Sequence, residues 1–369
     1  MQKKQVAVID VGSSKITAVV GERGINKTFI IKGRFSYEYE GFENGTFFDV
    51  EEVKKIFFKI AESIKKALRG KIETVYVGVP GEFTTAVLKD SQISFSKKKK
   101  ITEEDVETLY DSAFIMTSTK HTLINRSAVV YELDDFRRLA YPVGAISEIL
   151  NGKLSFILCS NYFIEIVKSS LIAGGINNVE CVSSALARAL YLVEPETRDR
   201  IAVLADVGFI TTTLTIIQGD GILYQNSFGY GGGYITAALV EKYNIPFDVA
   251  EDLKRKVNLS YTSSSNLDVL EGINGEYYPI NEVKAVVLSS LDYLCEKLSA
   301  SLEQSGFIVP EYVPLMLTGG GITYIRGAKE HLSNRLGSIL EVVAPKVPLM
   351  DKPTESTLLS LLDLALEQK

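Results

Sequence analysis

The sequence has few of the residues that build disulfide frameworks, zinc sites and catalytic triads. Its 369 residues include three cysteines and two histidines. The cysteines form no CxxC pair, and the histidines lie far apart with no HExxH or HxH pattern. These shortages argue against a disulfide scaffold or a structural zinc site and against a histidine-centred metal site or triad. We interpret Cys159, Cys181 and Cys295 as buried thiols in a reducing cytosol.

Long hydrophobic runs and an excess of basic charge are also missing. The best apolar run, 201–217, contains Asp206, so no uncharged stretch reaches the roughly 18 residues of a membrane-spanning helix. The apolar run near the N-terminus ends at Asp10, which makes it too short for a signal sequence. With 40 Lys and Arg against 46 Asp and Glu, the net charge is −6, so nucleic acid is not an expected partner. We expect a cytoplasmic protein of two to three domains at about 150 residues each.

Two segments of the chain have the same pattern. Residues 5–12 and 201–208 are each a β-rich run that ends in Asp-Val-Gly, and each is followed by a turn and a second β-rich run. From Asp10 to Asp206 the repeat is 196 residues long, which is too long for a solenoid. The pattern therefore predicts two similar α/β domains that face each other.

Each of these turns is suited to binding phosphate. Glycine and serine in a hairpin let backbone N–H groups approach phosphate oxygens, and an acidic residue at the strand end can hold Mg²⁺ through water. A third glycine cluster, at 319–321, follows a predicted strand at 313–318 and precedes a helix. Because two facing hairpins could clamp a triphosphate from both sides, the sequence predicts nucleotide binding between the domains.

The order of these motifs resembles the superfamily of actin, sugar kinases and heat-shock-chaperone ATPases. Within it, the chain is similar over nearly its whole length to the FtsA family of bacterial cell-division actin homologues. Residues 11–22 resemble that family's first phosphate hairpin, 75–81 the entry into its inserted 1C subdomain, and 101–106 a helix start inside this subdomain. Residues 141–144 resemble the later part of the subdomain, and 250–254 the adenosine-contacting Glu-x-x-Lys.

The resemblance implies a two-lobed α/β fold, actin-like and ribonuclease-H-like, with an inserted 1C subdomain. Each lobe would consist of two subdomains, and subdomains 1A and 2A would each be formed by two segments of the chain. The boundaries that it implies are 1–81 and 160–200 for subdomain 1A, 82–159 for 1C, 201–240 and 311–369 for 2A with the C-terminal helix, and 241–310 for 2B.

The resemblance also implies ATP and Mg²⁺ as cofactors in the cleft between the lobes. Asp10 and Asp206 would lie near the Mg²⁺ ion and hold it through water. The residues that it assigns to the nucleotide are Gly12, Ser13, Ser14 and Lys15 on one side of the phosphates, Gly208, Thr211 and Thr212 on the other, Gly232 where the chain returns to the cleft, Glu251 and Lys254 beside the adenosine, and Gly319, Gly320 and Gly321 beneath it.

The second hairpin departs from the family's pattern. The family usually has Asp-x-Gly-Gly-Gly-Thr-Thr-Asp, whereas here Phe209 and Ile210 replace two glycines and Thr213 replaces the closing acid. Bulky and β-branched residues disfavour positive φ and crowd a close approach of phosphate. We therefore expect weakened triphosphate binding and at most weak ATPase activity.

The end of the sequence departs from the family's pattern as well. The family commonly ends in a basic amphipathic membrane helix, and such a helix needs Lys or Arg on its polar face. Here the leucine-rich helix that begins near Pro353 has acidic polar positions, and its only basic residue is Lys369. We expect a core helix, with a membrane protein partner that supplies the attachment. The basic run at 97–100 is interpreted as a solvated hairpin tip.

Three functions remain open. The resemblance implies an ATP-binding, polymerising adaptor at the inner face of the cell membrane, whose partners are the FtsZ C-terminal tail, other copies of the chain and a membrane protein. The alternative is a PilM-like cytoplasmic adaptor of type IV pilus or secretion assembly, which would bind a short tail of an inner-membrane protein. Phe209, Ile210 and the missing membrane helix favour this alternative, whereas 13–22 and 75–81 favour the first. A small-molecule kinase needs a general base aimed at a substrate hydroxyl, and the sequence places none.

Overall fold

The computed structural model describes residues 4–68, 74–261 and 268–368, and Lys369 lies outside these ranges. The strands of the described residues are β1 (Gln5–Val11), β2 (Lys15–Arg23), β3 (Phe29–Glu38), β4 (Phe42–Glu43), β5 (Thr46–Phe47), β6 (Val75–Val79), β7 (Thr84–Lys100), β8 (His121–Leu133), β9 (Arg138–Leu139), β10 (Ile146–Ser160), β11 (Val179–Ser183), β12 (Ala202–Val207), β13 (Thr212–Gln218), β14 (Gly221–Phe228), β15 (Val269–Glu271), β16 (Tyr277–Pro279), β17 (Leu315–Thr318) and β18 (Leu340–Val342). The helices are α1 (Val50–Ala67), α2 (Glu103–Ala113), α3 (Asn161–Ala173), α4 (Ser184–Leu192), α5 (Pro195–Arg198), α6 (Gly232–Tyr243), α7 (Phe247–Lys256), α8 (Ile280–Ser305), α9 (Ala328–Leu336) and α10 (Ser356–Glu367).

Two five-stranded sheets have the same strand order, and each forms the centre of one lobe. The first sheet runs β3-β2-β1-β6-β11, and the second runs β14-β13-β12-β17-β18. In each sheet the central strand is antiparallel to the next strand of its hairpin and parallel to its other neighbour. The registers also correspond, because Asp10 pairs with Thr17 and Asp206 pairs with Thr213. The prediction of two similar α/β domains is confirmed.

Helix α1 shows how the sequence specifies the helices of the first lobe. The Asp49 carboxylate caps its start by accepting a hydrogen bond from the N–H of Glu52 at 3.0 Å. Lys65 and Lys66 in its last turn favour the negative end of the helix dipole. Burial of each large apolar side chain contributes about 1.5–3 kcal/mol relative to an exposed position. The buried face packs with α3 in the core of this lobe and consists of Val53, Ile56, Phe57, Ile60, Ala61 and Ile64.

A separate sheet, β7-β10-β8-β9, and helix α2 form a unit that is inserted between β6 and α3. Helix α2 begins with the predicted capping box: Thr102 Oγ1 accepts from the N–H of Asp105, and the Asp105 carboxylate accepts from the N–H of Thr102. The unit has a core of its own, in which Leu109, Leu150 and Phe156 are buried. The subdomain boundaries given above stay a prediction.

The lysine run at 97–100 is the end of strand β7, where it pairs with β10, so the expected hairpin tip is wrong. Carboxylates of neighbouring elements face the run. Lys98 Nζ lies 3.4 Å from Asp134, and Lys99 Nζ lies 2.9 Å from Asp105. Because these carboxylates compensate the like charges, four consecutive lysines remain in a strand.

Helix α10 follows the second sheet along the chain but packs on the first. The apolar side chains that meet in this core are Leu358, Leu359, Leu361 and Leu362 of the helix and Val6, Val8 and Val19 of the sheet. A Cβ on Gly78 of β6 would lie 2.4 Å from Leu361 Cδ1, so glycine permits this close approach. The prediction of a core helix is confirmed. Among the described residues, no helix has the length and apolar character needed to cross a membrane.

Candidate functional site

The two predicted phosphate hairpins have the same closing bond. In the first, the N–H of Gly12 donates to Lys15 O at 3.0 Å, and in the second the N–H of Gly208 donates to Thr211 O at 2.9 Å. Tyr39 braces the first hairpin, because its hydroxyl donates to Gly12 O at 2.8 Å. The repeat in the sequence is thus a repeat of turn geometry at the ends of β1 and β12.

The hairpins of the two lobes contact each other directly. The N–H of Ile210 donates to Ser13 Oγ at 3.0 Å, and Ser13 is buried. The Ile210 side chain also extends to the first lobe, where its Cδ1 lies 2.8 Å from the position of a Cβ on Gly41. Gly41 itself has a φ of +99° and its added Cβ would lie 2.1 Å from Ser13 O, so this position requires glycine.

Predicted glycines of three distant segments lie together beneath the second hairpin. The N–H of Gly232 donates to Gly208 O at 2.9 Å, and the N–H of Gly321 donates to Val207 O at 2.8 Å. A Cβ on Gly232 would lie 2.2 Å from Gly321 O. Gly319 has a φ of +92°, and its added Cβ would lie 2.4 Å from Asp206 Oδ1. Backbone therefore lines this part of the cleft, because side chains have no room.

Three other predicted residues lie at the margin of this cluster. The Thr212 hydroxyl is buried and donates to Tyr230 O at 2.6 Å, so it serves the core of the second lobe. Gly320 faces Thr354, whose Cγ2 would lie 2.9 Å from an added Cβ. Lys15 is exposed at the start of β2.

Asp10 and Asp206 end the central strands of the two sheets, and a guanidinium lies beside them. Arg188 Nη1 is 3.0 Å from Asp206 Oδ2, and the side chains are 5% and 20% exposed. Burial raises the pKa of Asp10 to about 7; the charge of Arg188 opposes this rise and that of Asp206 adds to it. Sequence reasoning missed Arg188, although it is the one charged residue of helix α4.

The predicted Mg²⁺ site has an unfavourable set of donors. Mg²⁺ prefers several hard oxygen ligands, yet the Asp206 carboxylate is paired with Arg188, and burial raises the pKa of Asp10 to about 7. In residues 4–68, 74–261 and 268–368, no group of three or more His, Cys, Asp or Glu side chains could hold a metal ion. The donors do not fit Mg²⁺ while Arg188 is in place.

The predicted adenosine residues belong to a buried ionic cluster on helix α7. The Lys254 ammonium is 1% exposed and contacts Glu251 Oε2 at 2.6 Å, Gly232 O at 2.8 Å and Thr236 Oγ1 at 2.6 Å. Burial pushes the pKa of Glu251 upward, but the Lys254 charge outweighs it and holds this pKa below its usual value. The Tyr324 hydroxyl donates to Glu251 Oε1 at 3.1 Å. Lys254 therefore positions the glycine that begins α6.

A groove of about 1160 Å³ lies away from this cleft, between the inserted unit, helix α4 and helix α10. We call it the insert groove. Sequence reasoning missed it, because its walls come from segments far apart in the chain. Tyr141 in its lining is a large aromatic side chain that is open to solvent. The lining residues include Tyr110, Arg126, Tyr141, Leu190, Tyr191 and Leu364.

Comparisons with known proteins give the same architecture. The family model of the type IV pilus assembly protein PilM matches residues 165–359. The cell division protein FtsA of Escherichia coli is 21% identical over 253 residues, which is 68% of this chain and 60% of that protein's length. A chain of the PilM–PilN type IV pilus biogenesis complex superposes with a TM-score of 0.66 at 19% identity and full coverage of both chains. MreB5 of Spiroplasma citri, bound to ADP, superposes with a TM-score of 0.56 at 13% identity over 99% of each chain.

The structural neighbours are less than 25% identical, so they show the fold: a two-lobed, actin-like α/β architecture. The FtsA similarity covers most of the chain, and the PilM model covers more than half of it. The protein thus has an actin-like fold and is similar to FtsA, and the chain belongs to the family of the type IV pilus assembly protein PilM.

Proposed function

We propose that the chain is a nucleotide-binding adaptor that holds a short cytoplasmic tail of an inner-membrane protein in the insert groove. The observation that carries this proposal is the groove itself. It is a concave surface of about 1160 Å³ that lies between the inserted unit and helices α4 and α10. The neighbour with a similar fold comes from a complex of PilM with PilN. This similarity supports a PilN-like partner for the present chain.

The groove offers both apolar and charged contacts to a peptide. Arg126 forms an ion pair with Glu107, and its guanidinium lies 5.1 Å from the centre of the Tyr110 ring. Leu190 and Tyr191 of α4 supply partly buried apolar surface. Aromatic and arginine side chains in such surroundings contribute strongly to protein recognition.

A strand edge also lies along the groove. Strand β8 pairs with β10 on one side, whereas its other edge pairs with β9 only at Tyr131 and Glu132 in the part of the chain that the structure describes. Residues 125–128 of this edge line the groove, and Ala128 O is already occupied because it accepts a hydrogen bond from the N–H of Asp220 at 3.1 Å. An extended peptide binds such an edge through main-chain hydrogen bonds, which favours a tail without helical structure.

The cleft is proposed to bind an adenine nucleotide, with at most weak hydrolysis. The twin hairpins, the glycine cluster and the named ADP-bound neighbour support this part. ATP would contact backbone groups of both lobes, so its binding would couple the lobes to each other. The inserted unit also contacts the second lobe, because Ser155 Oγ donates to Ile222 O at 2.8 Å.

The experiment is fluorescence anisotropy with a labelled synthetic peptide, the cytoplasmic tail of the source organism's PilN-like protein, with and without ATP. We expect saturable binding that Leu190→Asp, in the groove, weakens by about tenfold or more. Ile172→Asp is the matched control, because Ile172 is an exposed apolar residue of helix α3 that does not line the groove. Absence of binding by the folded protein, or equal loss in both variants, contradicts the groove assignment.

A second candidate is an adaptor that links FtsZ to the membrane through a partner and polymerises. The similarity to FtsA over 68% of the chain favours it. The labelled FtsZ C-terminal tail in the same assay separates the two roles. Binding of this tail alone supports the division role at the inner face of the membrane, and sedimentation of the protein with ATP then tests for filaments.

A further inference from the structure

Arg188 is placed where two lobes and three elements meet. It lies on α4 of the first lobe, pairs with Asp206 of the second lobe at 3.0 Å, and donates to Thr357 Oγ1 of α10 at 2.9 Å. Its side chain is almost wholly buried. A buried charge is retained only where opposite charge and hydrogen bonds compensate its lost hydration. The compensating charge here comes from the strand end at which the cleft was predicted to hold a metal ion.

The guanidinium does for Asp206 what a divalent cation would do. Asp206 is neutralised by direct contact, and Asp10 lies at the equivalent strand position of the first lobe. A metal ion added between these aspartates would be repelled by Arg188 and would have to displace it from Asp206.

One hydrogen-bond donor of the same guanidinium has no acceptor in the described structure. Within the described ranges, Arg188 Nε is buried and has no hydrogen-bond partner. A buried donor without an acceptor is unfavourable. A phosphate oxygen is a strong acceptor for a guanidinium, and it would contact Nε after a shift of this buried side chain. Among the described residues, no other Lys or Arg forms an ion pair with either aspartate, and the charge of Lys15 also acts on Asp10.

We propose that Arg188 is the resident cation of the cleft and replaces Mg²⁺, so that a nucleotide binds without a divalent metal ion. This inference rests on the nucleotide part of the proposed function. It makes Arg188 the residue that removes the need for a divalent metal ion, so that the nucleotide binds equally well with or without Mg²⁺.

The test is a titration of the full chain with a fluorescent ATP analogue in two buffers, one with Mg²⁺ and one with EDTA. For the unmodified protein we expect dissociation constants that agree within about twofold. Arg188→Met should weaken binding in EDTA by about tenfold or more, with partial recovery in Mg²⁺, because the freed carboxylates then hold the metal. Arg188→Lys keeps the charge and should bind equally in both buffers.

A second measurement needs no nucleotide. Titration with Mn²⁺, followed by electron paramagnetic resonance, should show no tight site in the unmodified protein and one in Arg188→Met. Binding of the analogue by the unmodified protein only in Mg²⁺ overturns the inference and leaves the proposed function intact. Binding in neither buffer overturns the nucleotide part of the proposed function and this inference together. If Arg188→Met does not fold, the unmodified protein and Arg188→Lys decide the matter.

Discussion

Ile210 joins the two hairpins: its N–H donates to Ser13 Oγ at 3.0 Å, and its side chain reaches the backbone at Gly41 of the other lobe. The residue therefore fills space between the lobes that a glycine would leave open. Phe209 has a different environment, because its ring packs against Phe247 with ring centres 5.9 Å apart. The two departures from a glycine-rich turn thus have separate structural roles.

Changing both Phe209 and Ile210 to glycine is expected to tighten ATP binding, because more room becomes available beside the hairpin. The structure assigns this gain to Ile210→Gly, which removes the side chain and keeps the N–H that donates to Ser13. We expect Ile210→Gly to raise the preference for ATP over ADP several-fold, while Phe209→Gly lowers stability and leaves the preference unchanged. Competition titration with both nucleotides measures this ratio. An unchanged ratio in Ile210→Gly would show that the side chain does not crowd the terminal phosphate.

The buried carboxyl of Asp10 predicts a pH dependence of stability. Its pKa is about 7 in the folded chain against an ordinary 3.8, so the folded state keeps a proton that the unfolded state has lost. Stability must then fall as pH rises from about 4 to 7, and the loss is complete above pH 7. Between pH 6 and 8 this one group lowers the free energy of unfolding by about 1 kcal/mol.

Urea unfolding at pH 6, 7 and 8 checks this effect. Asp10→Asn should remove this group's contribution to the slope of the free energy of unfolding against pH, because an amide does not titrate. Asp111→Asn is the control, since Asp111 lies 79% exposed on the inserted unit, and it should keep the slope of the unmodified protein. Parallel slopes for all three proteins would contradict the assignment to Asp10.

The parts of the fold that the sequence predicted depend on short-range patterns. Each Asp-Val-Gly turn, at Asp10 and at Asp206, is a short motif next to the strand that precedes it. The two motifs together predicted two similar sheets. The capping box of Thr102 and Asp105 fixed the start of α2 for the same reason. Such signals involve neighbours along the chain, so one sequence suffices to find them.

The parts that the sequence did not predict depend on contacts between distant segments. Arg188 meets Asp206 and Thr357 only because α10 returns to the first sheet. The insert groove needs three elements to come together. The lysine run at 97–100 was misjudged because Asp134, which compensates it, lies far along the chain. Charge compensation of this kind becomes visible only in three dimensions.

The Lys254 ammonium supports the start of α6, and its loss should be costly. Removing one partner of a buried ion pair leaves an uncompensated charge, which destabilises by about 3–5 kcal/mol. We expect Lys254→Met to lower the free energy of unfolding by up to that amount, because Glu251 Oε2 and the carbonyl of Gly232 lose their shared partner while Arg255 still pairs with Glu251 Oε1 at 2.8 Å. Lys256→Met is a matched control on the same helix: Lys256 is 44% exposed and pairs with Asp252, and surface pairs contribute about 0–1 kcal/mol.

The double change Lys254→Met with Glu251→Gln should recover part of this loss, because it removes the carboxylate that Lys254→Met alone leaves with Arg255 as its remaining cation. Urea unfolding of the unmodified protein, Lys254→Met, Glu251→Gln and the double variant gives the coupling energy of the pair. Nucleotide titration of the same proteins shows whether Lys254 only positions Gly232 or also contacts the nucleotide. If Lys254 only positions Gly232 and the glycines packed on it, Lys254→Met should weaken nucleotide binding in parallel with its loss of stability. The double variant should then recover part of both. A fully stable Lys254→Met that loses nucleotide binding would instead mean that the ammonium contacts the ligand itself.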